Sequence, residues 1–348
     1  MTDLSSQSSH MTAEPFRVGL IGLNRQGWHL IERCLSGGPF QVIKSIDAED
    51  VNASRQIDEL LTSPEIEVAW ITHPIALSVH GLPSDLIERL LNHHKHVVVD
   101  TLLCLSTTEA DRLFAIARTN GRHLLVHSPR HHDDEIRQAC SAVCREEFGA
   151  VLAAKWVSWG YAISPAGVSR CETPDGRLAS SSAQIGGDVR HVEELRVGLI
   201  RQLAHALDQL VQLIAHEPLR VFAVGDMLHS DRPYCSPTLA AWIEFNNGAH
   251  AEIDIRLNCP ASLHTGWVIH SERGGFAEGR QFSLTNEGEV FDSTEPLVGL
   301  AADDFLSLAM ALRDQKSVSQ TPTQTRAVTQ LLEAIRQAAE TCSIVNRG

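Results

Sequence analysis

No run of apolar residues in this sequence approaches the roughly 20 needed to cross a bilayer as a helix, so a helical membrane span is not expected. The first residues, MTDLSSQSSHMTAEP, carry no apolar stretch of the kind a secretory signal needs, and residues 1–14 are read as a disordered tail. Eight cysteines are scattered without a C-x-x-C pair, which argues against a disulfide framework and for reduced thiols in a cytoplasm. The net charge of -14 is relieved by no block of lysine and arginine, which disfavours nucleic acid or an anionic membrane as partner. The eighteen histidines form two clusters, His93/His94/His96 and His131/His132. Neither cluster contains the H-x-x-x-H or H-E-x-x-H spacing that sets two imidazoles on one helical face, so they read as surface or turn residues and no metal site is expected. Internal repeats are also missing.

What is present is an ordinary globular composition, 43% apolar and 21% charged, in a chain of 348 residues, enough for two domains with sizeable cores. Its organising stretch is Arg17 to Leu35. The apolar run Val18 to Ile21 ends at Gly22, a short turn reaches Gly27, and Trp28, Ile31, Cys34 and Leu35 recur at helical spacing. Strand, turn and helix in that order form the unit that holds a dinucleotide pyrophosphate at a helix N-terminus. The usual G-x-G-x-x-G reads here Gly22, Asn24, Gly27, so the middle glycine is replaced by a residue whose side chain sits where backbone should approach phosphate. The next strand, 40–46, leads into Asp47, 20 positions beyond Gly27. At that spacing a carboxylate meets the adenosine ribose hydroxyls, and the acidic neighbours Glu49 and Asp50 favour NAD over NADP. A strand-end acid capping the next turn is the competing reading.

Strands at 67–72, 95–100 and 122–127 alternate with helices at 83–92, 110–119 and 134–146, the second opened by an apparent capping box from Ser106 to Glu109. That alternation predicts a parallel sheet covered on both faces. From Val151 the rhythm changes. A long alternating strand, 151–161, is followed by a Gly/Ser/Pro-rich loop, 164–187, and a helix, 197–215, with Leu199, Leu203, Leu207, Leu210 and Ile214 in one stripe. Strands at 219–224, 239–245, 250–257 and 266–270 follow, with Asn246-Asn247-Gly248 as a hairpin turn, then a closing helix at 327–343. The fold class expected is therefore α/β plus α+β. A dinucleotide-binding domain spans 15–150 and a second domain with a mostly antiparallel open sheet spans 151–348, its closing helix free to pack back on the first.

The order of these motifs resembles the glucose–fructose oxidoreductase / inositol dehydrogenase / rhizopine-catabolism (Gfo/Idh/MocA) family. The resemblance rests on RVGLIGLNRQG, SPEIEVAWITHP, KHVVVDTLLCLSTTEA, EPLRVFAVG and AAWIEFNNGAHAEI, in register after residue 15. It implies an NAD(P)-dependent oxidoreductase acting on a sugar, cyclitol or related alcohol, with the second domain covering the substrate and forming homo-oligomer contacts. By the same resemblance Gly22, Leu23, Asn24, Arg25, Gln26 and Gly27 face the pyrophosphate and Asp47 the adenosine ribose. Thr72, His73 and Pro74 then face the middle of the cofactor, and Asp100 the nicotinamide ribose.

The chain departs from the family pattern where chemistry is done. The family's Glu-Lys-Pro aligns with Asp100-Thr101-Leu102, so the lysine is Thr101, which can donate a hydrogen bond but holds no charge. The family's Asp-x-x-x-His reads Arg201-x-x-x-His205. Arg201, His205, Asp208 and Gln212 share one helical stripe, either a solvated face or a substrate-facing one. In the second case His205 is the acid/base, Arg201 a grip for an anionic substrate, and Thr101 a donor to its hydroxyl. The alternative is a non-catalytic member that binds a dinucleotide or sugar and has lost hydride transfer.

Overall fold

The computed structural model describes residues 14–22, 38–47, 50–72, 84–128, 136, 139–140, 148–160, 189–225, 238–257, 265–277, 280–284, 290–293, 304–314 and 321–347. Two sheets carry the chain. The first orders β2 (Phe40–Ile46), β1 (Phe16–Ile21), β3 (Val68–Ile71), β4 (His96–Asp100) and β5 (Leu124–His127), every pair parallel. Their short continuous apolar runs are what a sheet buried on both faces requires.

One face of that sheet is covered by α1 (Ala53–Thr62), α2 (Ser84–Asn92) and α3 (Thr107–Thr119), through a core including Leu60, Ile87, Leu113, Val97 and Val99. Gly19 allows α1 to lie close, because a Cβ there would stand 2.5 Å from Leu60 Cδ1. The other face is covered by a helix from far along the chain, α5 (Asp304–Asp314), whose Phe305, Leu308 and Leu312 pack on Val18, Leu20, Phe40, Trp70 and Val98. Trp70 stacks on Phe305 with ring centroids 5.6 Å apart and meets Phe40 edge-on at 5.4 Å.

The second sheet runs β13 (Val290–Ser293), β12 (Arg280–Leu284), β11 (Gly274–Ala277), β10 (Thr265–Ser271), β6 (Val151–Gly160), β9 (His250–Leu257), β8 (Thr238–Phe245), β7 (Pro218–Gly225), β14 (Val345–Asn346). All neighbours are antiparallel except β6 and β9. Its inner face packs on α4 (Val189–Leu213), with Leu199, Leu203, Leu207 and Leu210 fully buried and Ile214, just past its end, also in the core. The helix starts eight residues earlier than the sequence pattern suggested. The closing helix α6 (Pro322–Thr341) packs on α4 and β7 by one side and on α3 by another, where Thr107 Oγ1 donates to Glu333 Oε2 at 2.8 Å and Arg326 pairs with Asp111 at 3.0 Å. The outer face of the sheet stays open, with Phe222, Val224, Trp242 and Val268 each about two-fifths exposed.

One local expectation is corrected, and one alternative is decided. Ser106 stands at the N-cap of α3, but its side chain caps nothing; its carbonyl receives Ala110 N–H and the Cys104 thiol instead. A true capping box opens α6, where Thr321 Oγ1 accepts from Gln324 N–H and Gln324 Oε1 accepts from Thr321 N–H. The helix face bearing His205 and Asp208 is not solvated, as those side chains are 5% and 1% exposed. The tail 1–13, the loop 164–187, the cluster His131/His132 and most of 134–146 lie outside the described residues.

Candidate functional site

In an open parallel sheet ligands bind beyond the carboxyl ends of the strands, where loops diverge and backbone groups point outward. At that edge β1 ends in Gly22, at φ 93°, a left-handed conformation natural to glycine and strained for most other residues. Its N–H donates to Ile46 carbonyl at 2.9 Å, which binds the end of β1 to the end of β2. Asp47, the residue just past β2, is exposed. At the end of β3 the buried Thr72 donates its hydroxyl to Gly22 carbonyl at 2.8 Å and its N–H to Ile21 carbonyl at 2.9 Å. Thr72 therefore spends its side chain on fixing the Gly22 turn. Leu23, Asn24, Arg25, Gln26, Gly27, His73 and Pro74 lie outside the described residues.

The end of β4 is more unusual. Asp100 Oδ1 accepts Trp70 Nε1–H at 2.8 Å and His127 Nδ1–H at 3.0 Å. Thr101 follows at φ 71°, and Leu102 N–H returns to Asp100 carbonyl at 2.9 Å. Positive φ beneath an i to i+2 hydrogen bond makes this a γ-turn of the strained kind, here on a β-branched residue. Thr101 is buried, and its N–H donates to His127 carbonyl at 2.6 Å. Beyond the turn Leu102 joins the core of the second sheet, while Leu103 and Cys104 join that of the first. Burial pushes the Cys104 thiol up to about 12, so it stays protonated and inert.

His127 and Ser128, at the end of β5, tie the arrangement together. The His127 ring holds Asp100, its carbonyl holds Thr101, and the Ser128 hydroxyl lies 3.4 Å from Nδ1 of His205 on α4. Asp100, Thr101 and His205, 105 positions apart at their extremes, thus converge on one dipeptide. Arg201, half-buried, stands one turn before His205 on the same helix. Sequence reasoning had read His127 only as the last residue of a strand and missed Ser128 and Trp70. The signal available was positional: His127 and Ser128 end the strand next to the one that carries Asp100 and Thr101.

The first histidine cluster lies at the opposite, amino edge of the sheet. His96 stacks on His123 at 5.1 Å, its Nδ1 accepts His123 N–H at 3.1 Å, and burial holds its ring down at about 4. Among the described residues no group of three or more His, Cys, Asp or Glu is placed to hold a metal, and no helix is long and apolar enough to cross a membrane.

The sequence model of an oxidoreductase family, NAD-binding Rossmann fold (GFO_IDH_MocA), matches residues 16–128. Over those residues the chain is similar to that family's NAD-binding Rossmann fold. Two curated relatives match a similar length of chain. A dTDP-3,4-didehydro-2,6-dideoxy-alpha-D-glucose 3-reductase of Actinomadura kijaniata is 26% identical over 136 residues, 34% of this chain and 40% of the relative. A 1-carboxy-3-chloro-3,4-dihydroxycyclo hexa-1,5-diene dehydrogenase of Comamonas testosteroni is 22% identical over 147 residues, 39% of this chain and 36% of the relative. The match therefore spans less than half the length of these relatives. Solved structures extend the likeness in fold across nearly the whole chain. An NAD-binding protein from Listeria innocua superposes with TM-score 0.74 at 16% identity, covering 96% of this chain and 100% of that one. Scyllo-inositol dehydrogenase from Lactobacillus casei, solved with NAD(H) and scyllo-inositol, gives TM-score 0.66 at 17% identity, covering 96% and 99%.

Proposed function

We propose that the protein is a cytoplasmic NAD-dependent oxidoreductase that interconverts hydroxyl and carbonyl on a sugar, cyclitol or sugar-acid-like substrate. The observation carrying this reading is the convergence of Asp100, Thr101 and His205 on His127–Ser128 at the carboxyl edge of a family Rossmann domain. The residues present suit a dinucleotide. The left-handed Gly22, locked by Thr72, leaves backbone rather than side chain at the strand end, and the exposed Asp47 suits a ribose diol. In this reading Gly22 to Gly27 hold the pyrophosphate, Thr72, His73 and Pro74 line the middle, and Asp100 lies toward the nicotinamide ribose. NAD is favoured over NADP because Asp47 would repel a 2′-phosphate.

Bound NAD supplies the hydride acceptor or donor; the remaining tasks fall to the chain. His205 hydrogen-bonds the reacting oxygen and exchanges its proton, a role suited to an imidazole, which can both donate and accept one. Thr101 donates to a substrate hydroxyl, and its own hydroxyl hydrogen-bonds to no described residue. Arg201 carries permanent charge and cannot serve as a base, so it anchors an anionic group. The relatives' names fit such an anchor: one specifies a carboxylated ring, the other a dTDP-linked sugar. The unbridged thiols Cys104 and Cys342 suit a reducing compartment. The open face of the second sheet is the surface through which copies would associate.

Turnover with NAD and NADH across neutral sugars, cyclitols, sugar acids and nucleotide sugars tests the reading. An acidic member is expected to react. His205→Asn is expected to lower kcat by about 10²-fold or more, and Arg201→Leu to raise KM for acidic substrates without affecting neutral ones. Saturable NADH binding with no turnover anywhere on the panel would instead favour the non-catalytic alternative.

A further inference from the structure

At the amino edge of the first sheet, opposite the candidate site, imidazoles and a guanidinium are packed together. His96 opens β4, and Arg122 and His123 lead into β5. The two histidine rings stack with centroids 5.1 Å apart and planes 16° apart. Nδ1 of His96 accepts the His123 backbone N–H at 3.1 Å, and Arg122 Nη1 faces Nε2 of the same ring at 3.4 Å. Both donors are permanent, one a peptide N–H and the other a guanidinium. A neutral ring has one lone pair to offer them. A protonated ring has none, and it meets both as a third donor beside a fixed positive charge.

The charged and titratable groups facing His96 are Arg122 and His123 on the β5 side and Glu67 on the β3 side. Glu67 favours a charged ring, but its Oε2 already accepts the backbone N–H and Nε–H of Arg17. Lys95, the preceding residue, donates its ammonium to the carbonyls of Ser63 and Ile66. On α5, Arg313 donates to the Glu14 carbonyl and lies over the Phe16 ring. Burial first, then His123 and Arg122, hold the His96 ring down from its ordinary 6.5 to about 4. Burial and then Arg122 also hold His123 down. As pH falls below 6.5, the unfolded chain therefore takes a proton at His96 that the folded chain refuses until about 4. The contribution to stability is complete above that window and is lost as pH falls through it.

We propose that His96 and His123 form an acid-sensitive clasp between β4 and β5, closed while His96 is neutral and released when it takes a proton. Protonation withdraws the acceptor that His123 N–H uses and sets a second positive charge against Arg122. The strands so joined pair from Val97 with Leu124 to Asp100 with His127, so the clasp and the Asp100–His127 contact lie at opposite ends of one short ladder. Loosening the amino end therefore loosens the strands that carry Asp100, Thr101, His127 and Ser128. The clasp goes beyond the oxidoreductase reading and does not depend on what the site binds.

The test is nitrogen NMR of protein labelled with ¹⁵N-histidine, which reports both the ring nitrogens and the backbone amide of each histidine. Signals are assigned by their loss in His96→Phe and His123→Phe. In the wild type the His96 ring is expected to stay neutral, and the His123 amide in place, down to about pH 5, the two then moving together. Arg122→Met is expected to raise the His96 midpoint. Urea unfolding between about pH 6 and about pH 4.5 gives the second readout. Over that span the unfolding constant of the wild type is expected to rise about 10-fold more than that of His96→Phe, which keeps an aromatic ring but cannot titrate. A wild-type His96 that titrates at about 6.5, a His123 amide that does not follow it, or equal pH slopes in the two proteins would overturn the proposal. Should His96→Phe not fold, the wild-type ring titration decides alone, its signals assigned through His96→Gln.

Discussion

At the scale of single residues, Thr101 shows the clearest tension between backbone and function. A β-branched residue at φ 71° in a γ-turn is held against an intrinsic preference worth of order 1–3 kcal/mol. The strain persists because the surroundings over-determine it: Asp100 is clamped by two donors, Thr101 N–H by the His127 carbonyl, and Leu102 to Cys104 by two different cores. Comparing Thr101→Gly with Thr101→Ala isolates that strain, since both lose the hydroxyl and the methyl but only glycine relieves the backbone. The glycine variant should be the more stable of the two by about 1 kcal/mol in thermal or denaturant unfolding. Equal stabilities, or a more stable alanine variant, would remove the strain argument. None of this was legible beforehand. The alignment of Asp100-Thr101-Leu102 with a family motif marked the position but not its conformation, because φ depends on contacts with β5 made after folding.

At the scale of elements, legibility followed periodicity. The leucine stripe of α4 and the apolar runs of β1 to β5 were readable because local spacing dictates which face is buried. Helix α5 was missed because DFLSLAMALRD is an unremarkable pattern whose meaning lies in a sheet strand, Phe16–Ile21, nearly 300 positions earlier. Strands β11 to β13 were missed because they are short, four or five residues each, and the last lies next to residues outside the described set. The capping motif failed in an instructive way: S-x-x-E at Ser106 matched in letters, but its serine side chain makes no cap. The T-x-x-Q at Thr321 does close the reciprocal pair. Thr321→Ala should therefore destabilise the protein by about 1 kcal/mol, whereas Ser106→Ala should change stability far less. Chemical denaturation of the two variants measures the difference, and equal losses would contradict the assignment.

For the whole molecule, the two sheets divide the labour. In the proposed reading the parallel sheet offers its carboxyl edge to a nucleotide, and α4 and α6 join it to a second sheet whose inner face is filled and whose outer face is open. On that face Phe222 pairs across strands with Trp242, and Lys155 with Glu252, in a surface that is part apolar and part charged. Trp242→Glu combined with Phe222→Asp should lower the mass measured by light scattering after gel filtration, with the fold intact by circular dichroism. An unchanged mass would move the association surface elsewhere. Of the candidate site residues, His205, Arg201 and Thr101 were chosen by register with a family; that Thr101 and His205 come together at His127–Ser128 is a product of tertiary structure, which no local spacing encodes. The account depends most on that edge accepting a dinucleotide. Titration with NADH, followed by the fluorescence of the bound nicotinamide, tests this most directly. Saturable enhancement is predicted for the wild type, together with its loss in Gly22→Val, where a β-branched side chain strains the left-handed turn and projects into the space the pyrophosphate would take. No saturable signal in the wild type, or an unaltered one in the variant, would contradict the account.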